Sequence, residues 1–141
     1  MTSSGNPAWV SSPPSAYDIV ACWYPLKERP DDPGPVLRPV LVTTVQRGQQ
    51  SGLFACRVAF GTKQLKIPQR RDKDIIVQNT NDIRIFGLAR ATRFDLDTTA
   101  TLPWTPDFFG CWTDHASPLI GSLTEPFIKE YAFLMMLRDN R

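Results

Sequence analysis

LRPVLVTTV, residues 37–45, is the stretch on which the reading of the fold turns. After Arg38 and Pro39 it is a near-continuous run of Val, Leu and Thr, the composition of a strand covered on both faces. The polar segment RGQQSG (47–52) interrupts the run and LFACRVAF (53–60) resumes it, with Phe54, Cys56, Val58 and Phe60 alternating with Leu53, Ala55, Arg57 and Ala59. This spacing predicts a β-hairpin. At its open end AFGTKQ (59–64) sets Gly61, where a missing Cβ permits a bend, before Thr62 and Lys63. Arg38 stands at the mouth of one strand and Thr62 at the end of the next, so a site is expected there.

Upstream, YDIVACWY (17–24) is β-branched and aromatic, and Ile19, Ala21 and Trp23 alternate with Asp18, Val20 and Cys22, which predicts a first strand. Pro25 stops it. PLKERPDDPGPVL (25–37) holds too many prolines for regular structure and reads as a long polar flap. Residues 1–15, MTSSGNPAWVSSPPS, have too little apolar content to offset chain entropy and are expected to be a flexible tail, with Trp9 and Val10 its one sticky pair. Residues 16–141 are expected to form a single domain.

Downstream, QLKIPQRRDKD (64–74) carries Pro68 and the charges Arg70, Arg71, Asp72, Lys73 and Asp74, and reads as an exposed loop. With Lys63 and Lys66 it is the most basic stretch of the chain. Residues 75–77 begin a short strand, residues 79–81 (NTN) are a turn or helix cap, and Gly87 makes DIRIFGL (82–88) a short extended or bent element. In TRFDLDTTATLPW (92–104) Phe94 and Leu96 face one way and Arg93, Asp95 and Asp97 the other, so that the second face is wet or engaged. The turn-rich segment 105–121 carries Phe108, Phe109 and Trp112, which must cover something apolar, a subunit contact being one option. Thr124, Glu125 and Pro126 then open a helix whose stripe of Phe127, Ile128, Tyr131, Leu134 and Met135 packs on the sheet. Short, turn-punctuated strands followed by one terminal helix predict a mainly β domain, a small and strongly curved antiparallel sheet or barrel.

Composition narrows the function. At 141 residues, 42% hydrophobic and 21% charged, the chain can build a core without disulfide staples. A formal charge of +2 is too slight to argue for nucleic acid by itself, so any anion-binding surface has to come from clustering. Cys22, Cys56 and Cys111 are widely spaced, form no CxxC pair and have no histidine nearby, and read as free thiols of a reducing cytoplasm. No metal site and no cofactor motif is expected. No apolar run approaches the roughly 18 residues of a membrane span and no secretion signal opens the chain, so a soluble cytoplasmic protein is expected.

Taken in order, DIVACWYP, the Pro/Gly-rich loop, LRPVLVTTV, a strand ending in FGT, GLARATRFDL with its following LP, and IGSL leading into a C-terminal helix resemble the PemK/MazF toxins of bacterial toxin–antitoxin modules. The resemblance covers about residues 17–137. It implies an SH3-like (MazF/CcdB-like) barrel, usually a homodimer, that cleaves single-stranded RNA without a metal and is neutralised by an antitoxin whose disordered tail folds into the substrate groove. In that family an arginine immediately before the proline of the second strand belongs to the active site, a position held here by Arg38. A threonine or serine after the third strand sits beside it, a position matched by Thr62. The family commonly has a glycine before the Asp-Ile or Asp-Val of the first strand, where this chain has Tyr17, and residues 105–117 also depart from its compact members.

The chemistry suits those residues. Metal-free RNA cleavage uses the ribose 2′-hydroxyl as nucleophile and needs a cation to stabilise charge developing on phosphorus. Arg38 supplies that cation through a two-pronged fork, and Thr62 can fix a phosphate or leaving oxygen. Lys63, Lys66, Arg70 and Arg71 are the candidate phosphate contacts and Trp104 the candidate stacking platform, whereas Trp23 reads as core. The lone His115 reads as a bystander, and Asp18, Asp95 and Asp97 as solvent-facing strand residues rather than a metal set. A second possibility is a barrel of the same descent that has lost catalysis and acts as a protein-binding or inhibitory module, and a third, weaker one is the gyrase-poisoning branch of that fold.

Overall fold

A computed structural model describes residues 12–48, 52–70 and 72–139 of the protein. Its elements in chain order are β1 (Asp18–Trp23), β2 (Leu37–Arg47), β3 (Phe54–Thr62), a 3-10 turn (Pro68–Arg70), β4 (Ile75–Val77), α1 (Thr80–Ile85), β5 (Thr92–Pro103), β6 (Leu119–Ser122) and α2 (Glu125–Asp139). The strands form one antiparallel sheet in the order β4-β5-β3-β2-β1-β6, curled into a half-barrel, with the C-terminal helix packed on it. Residues 1–11, including Trp9 and Val10 of the expected tail, lie outside the described residues.

The hairpin is present: β2 and β3 pair antiparallel from Val40↔Phe60 to Arg47↔Phe54. Alternation along its strands feeds two cores. Ile19, Leu41 and Ala59 join Ile75, Val77, Phe86, Phe94, Leu96, Leu123 and Leu134 on one face, where Phe127, Ile128, Tyr131 and Met135 of α2 close over them. Val20, Cys22, Val40, Val42, Cys56, Val58 and Leu102 occupy the other face with Phe109. Val40, Leu41 and Val42 are all fully buried, as a two-faced strand requires.

Phe108 and Phe109, between β5 and β6, cover this second face of their own sheet. Phe109 is fully buried, bridges to Cys22 and stacks on Trp104 with ring centroids 4.6 Å apart. The expectation for residues 82–88 is corrected. Residues 82–85 belong to a short helix, α1, capped by the Asn79 side chain, whose Oδ1 accepts from the Asn81 N–H at 2.9 Å. Gly87, at φ +73°, ends that helix instead of preventing it. Leu88 N–H then reaches Ile83 O at 3.0 Å and Gly87 N–H reaches Arg84 O at 3.1 Å, a paired C-terminal cap that needs the left-handed residue.

The reading of residues 64–74 as an exposed loop holds for most of those described, Gln64, Lys66, Pro68, Gln69, Asp72 and Lys73 being exposed, and is corrected at Arg70 and Asp74. Asp74 is buried and the Arg70 side chain is only 18% exposed, because each is the other's partner. The cause lies in β5. Its pairing with β3 runs Ala55↔Pro103 to Ala59↔Thr99 and resumes at Phe60↔Asp95, so residues 96–98 are extruded as a bulge that bends the strand. The Leu96 N–H freed by the bulge is taken up by Asp74 Oδ1 at 3.1 Å. Among the described residues no helix is long and apolar enough to cross a membrane.

Candidate functional site

Arg38 is the last residue of the row Val42, Val40, Arg38, which alternation places on one face of β2, and it emerges where the second core ends. Its guanidinium lies over the Phe60 ring, 4.7 Å from the centroid, and its Nη1 donates to Gly61 O at 3.3 Å. Gly61 does not supply a bend, since β3 continues through it to Thr62. A Cβ there would overlap the Pro39 carbonyl oxygen and press on Phe94, so glycine is required for close approach of the two strands. That approach brings the end of β3 up to Arg38.

Arg38, Thr62, Lys63, Arg90, Thr92 and Trp112 line a depression of about 470 Å³, and among the described residues no carboxylate lines it. A second depression of about 690 Å³ is lined by Tyr24, Lys27, Phe60, Asp97, Thr98 and Thr99 among others, beneath the proline-rich residues 25–36. Val36 and Arg38 line both, so Arg38 stands between two adjoining grooves. Tyr24 meets Phe60 edge to face at 5.1 Å. Burial, reinforced by Cys22 and Asp95, pushes its phenol up to about 12, so at neutral pH it is a proton donor and not a base. Burial likewise raises the Cys22 thiol beneath Arg38 to about 12, with Cys56 adding to the effect and the guanidinium partly opposing it.

Behind the grooves three arginines and three aspartates form one network. Arg70 Nη2 reaches Asp74 at 2.6 Å, Asp95 at 3.1 Å and Asp97 at 2.7 Å. Arg93 Nη1 reaches Asp74 at 2.7 Å and Asp95 at 3.3 Å, and Arg138 of α2 holds Asp97 at 2.9 Å. Burial alone pushes the Asp74 carboxyl up, but hydrogen bonds from Arg70, the Leu96 N–H and Arg93 hold it below the usual carboxylate range. Asp97 is brought to about 2 by Arg138, against burial and with help from Arg70.

The structure thus brings together three of the residues singled out from the sequence, Arg38, Thr62 and Lys63, and separates the others. Lys66 is exposed and lines neither groove. Arg70 is committed to carboxylates, and Arg71 lies outside the described residues. Trp104 is half-buried against Phe109, and Trp23 is half-buried with its Nε1 close to Gly110. Asp95 and Asp97 are engaged by arginine and do not simply face solvent. Asp18 accepts from Ser122 Oγ at 2.6 Å and from the Ser15 N–H at 2.8 Å. His115 is exposed and touches the site only through Trp112, edge to face at 6.1 Å.

Sequence reasoning missed Arg90 and the position of Trp112. Arg90 sits in the turn entering β5, and Trp112 in a segment whose path depends on where Phe109 anchors it. No local periodicity marks either one.

No protein-family model and no curated protein matches this sequence.

Proposed function

We propose that the protein is an endoribonuclease of the PemK/MazF type, a small SH3-like barrel that cleaves single-stranded RNA without a metal and is held in check by an antitoxin. The observation that carries this reading is the meeting of Arg38, Thr62 and Lys63 with Arg90 in one groove free of carboxylates. Such a groove suits a phosphodiester with an unpaired strand on either side. The 2′-oxygen attacks phosphorus as its proton passes to water, the bond to the 5′-oxygen breaks and that oxygen takes up a proton, and a cyclic 2′,3′-phosphate and a free 5′-hydroxyl result. Arg38 keeps one edge on Gly61 O and offers the other to the non-bridging oxygens, where charge grows in the transition state. Thr62 holds an oxygen of the same phosphate, Lys63 and Arg90 neutralise flanking charge, and Tyr24 is suited to giving a proton. Trp112 replaces Trp104 as the stacking surface, and Lys66 extends the basic track outside the groove.

One further detail supports the family. The position at which its members commonly have glycine is Tyr17, whose φ is +75°, a conformation glycine adopts freely and a side chain resists. Homodimer formation, cytoplasmic location and capture of a disordered antitoxin segment in the groove belong to the same proposal.

The test is cleavage of a mixed single-stranded RNA pool, with growth arrest on expression as its cellular counterpart. Arg38→Ala should reduce cleavage by about 10²–10³-fold. Full activity in that variant sinks the assignment. A second reading, a barrel of this type acting only as a binding module, is favoured by one observation. The two non-cationic titratable groups lining the grooves, Tyr24 and Asp97, are driven to about 12 and about 2, and neither is poised as a base near neutrality. Wild-type protein that binds RNA or a protein partner but leaves the RNA pool intact would establish that second reading.

A further inference from the structure

We propose that Arg93 is a positioning residue for the groove, acting through the backbone of Gln64 to fix Thr62 and Lys63 against Arg38. Its functional consequence rests on the endoribonuclease reading, whereas its geometry stands without it.

Beyond Thr62 the chain leaves the sheet, and ladder pairing no longer constrains it: the last pair between β3 and β5 is Thr62↔Arg93. Thr62 and Lys63 nevertheless line the same groove as Arg38. Two bonds hold this turn. Gln64 N–H donates to Thr62 Oγ1 at 3.2 Å, and Arg93 Nε donates to Gln64 O at 2.8 Å. One residue therefore secures both ends, its backbone opposite Thr62 and its side chain on Gln64.

Arg93 is 4% exposed and cannot drift. Its Nη1 is fixed by Asp74 at 2.7 Å and by Asp95 at 3.3 Å, and Asp74 is itself tied to Arg70. The ion network thus works as a bracket whose remaining arm, Nε, reaches the backbone just beyond the groove-lining Thr62 and Lys63. Lysine would keep the charge but not the fork, and could not satisfy Asp74 and Gln64 O together. A misplacement of about 1 Å in a group facing the reacting phosphate costs about 10²-fold in rate.

The experiment compares Arg93→Lys with Leu134→Ala, a cavity where α2 packs on the sheet, which destabilises the protein but removes neither bond of the turn. Measured well below melting, Arg93→Lys is expected to lower kcat by about 10–100-fold, with KM and the affinity for a non-cleavable 2′-deoxy strand little changed. Leu134→Ala is expected to keep wild-type kcat. Combined with Thr62→Ala, Arg93→Lys should add little, because both act at the same hydroxyl. Hydrogen exchange over residues 62–66 should quicken in Arg93→Lys and not in Leu134→Ala.

Should Arg93→Lys fail to fold, residue 65 introduced as its α-hydroxy acid weakens the Gln64 carbonyl as an acceptor and leaves the network whole. The same fall in kcat is then expected. Equal losses in Arg93→Lys and Leu134→Ala, or unchanged kcat and exchange in Arg93→Lys, overturn the proposal. If wild-type protein cleaves no RNA, the endoribonuclease reading fails. Faster exchange over residues 62–66 in Arg93→Lys then still upholds the anchor, and unchanged exchange refutes it.

Discussion

Arg38 Nη1 donates to the carbonyl oxygen of Gly61 at 3.3 Å while the same guanidinium lies over the ring of Phe60. The cation is therefore aimed by two fixed partners on the neighbouring strand. Arg38→Lys keeps the charge but has no second edge to offer phosphate once Gly61 O is satisfied. Cleavage should fall about 10²-fold, close to the loss in Arg38→Ala, with unfolding free energy changed by no more than about 1 kcal/mol. Initial rates alongside a denaturant titration decide this, and a lysine variant with near wild-type rates would contradict it.

Gly61→Ala tests the close approach of β2 and β3. The added methyl would overlap Pro39 O and push on Phe94, so β2 and β3 must part beside the groove that Arg38 and Thr62 line. A loss of about 1–3 kcal/mol in stability is expected, as for overpacking elsewhere, together with a drop in cleavage larger than that destabilisation explains. Unchanged melting would show that the approach is not tight.

Tyr17 offers a test with inverted sign. Glycine is ordinarily less stabilising than alanine, but Tyr17 sits at φ +75° and its ring packs edge to face on Tyr131 at 5.6 Å. Tyr17→Gly and Tyr17→Ala both lose the ring contact, and only Tyr17→Ala keeps the backbone penalty of about 1–2 kcal/mol. Tyr17→Gly should therefore be the more stable variant by roughly that amount. Equal stabilities in urea unfolding would refute it.

Acid should loosen the network between β5 and α2. Asp97 is held at about 2 against an ordinary 3.8, so the folded state binds fewer protons than the unfolded state in that interval and stability rises with pH across it. The contribution is full above about pH 4 and is lost as pH falls through about 2. Asp74, also lowered, adds in the same direction. In urea titrations at successive acid pH values, Asp97→Asn should flatten the slope in this window. A slope equal to that of the wild type would mean that Arg138 contributes nothing through Asp97.

Local sequence made much of the fold legible. The valine-rich β2, the alternation of β5, the hairpin and the stripe of α2 each bury surface by a period that can be read along the chain. Gly87 was legible only as a breaker, because whether a left-handed residue prevents a helix or ends one depends on the cap bonds formed around it. Arg70 and Asp74 were misread for a related reason. Charges close in sequence look solvated until partners distant in sequence, Arg93, Asp95, Asp97 and Arg138, are brought round them.

By itself the sequence determined that a β-rich chain would carry Arg38 and Thr62 at strand ends, since alternation and strand-ending residues act over a few positions. Only the tertiary structure decided that Lys63 and Arg90 share their groove, that Arg70 does not, and that Arg93 ties the wall of that groove to a buried network. Those outcomes depend on the β5 bulge and on the approach of Gly61 to Pro39, contacts between segments whose spacing along the chain carries no period.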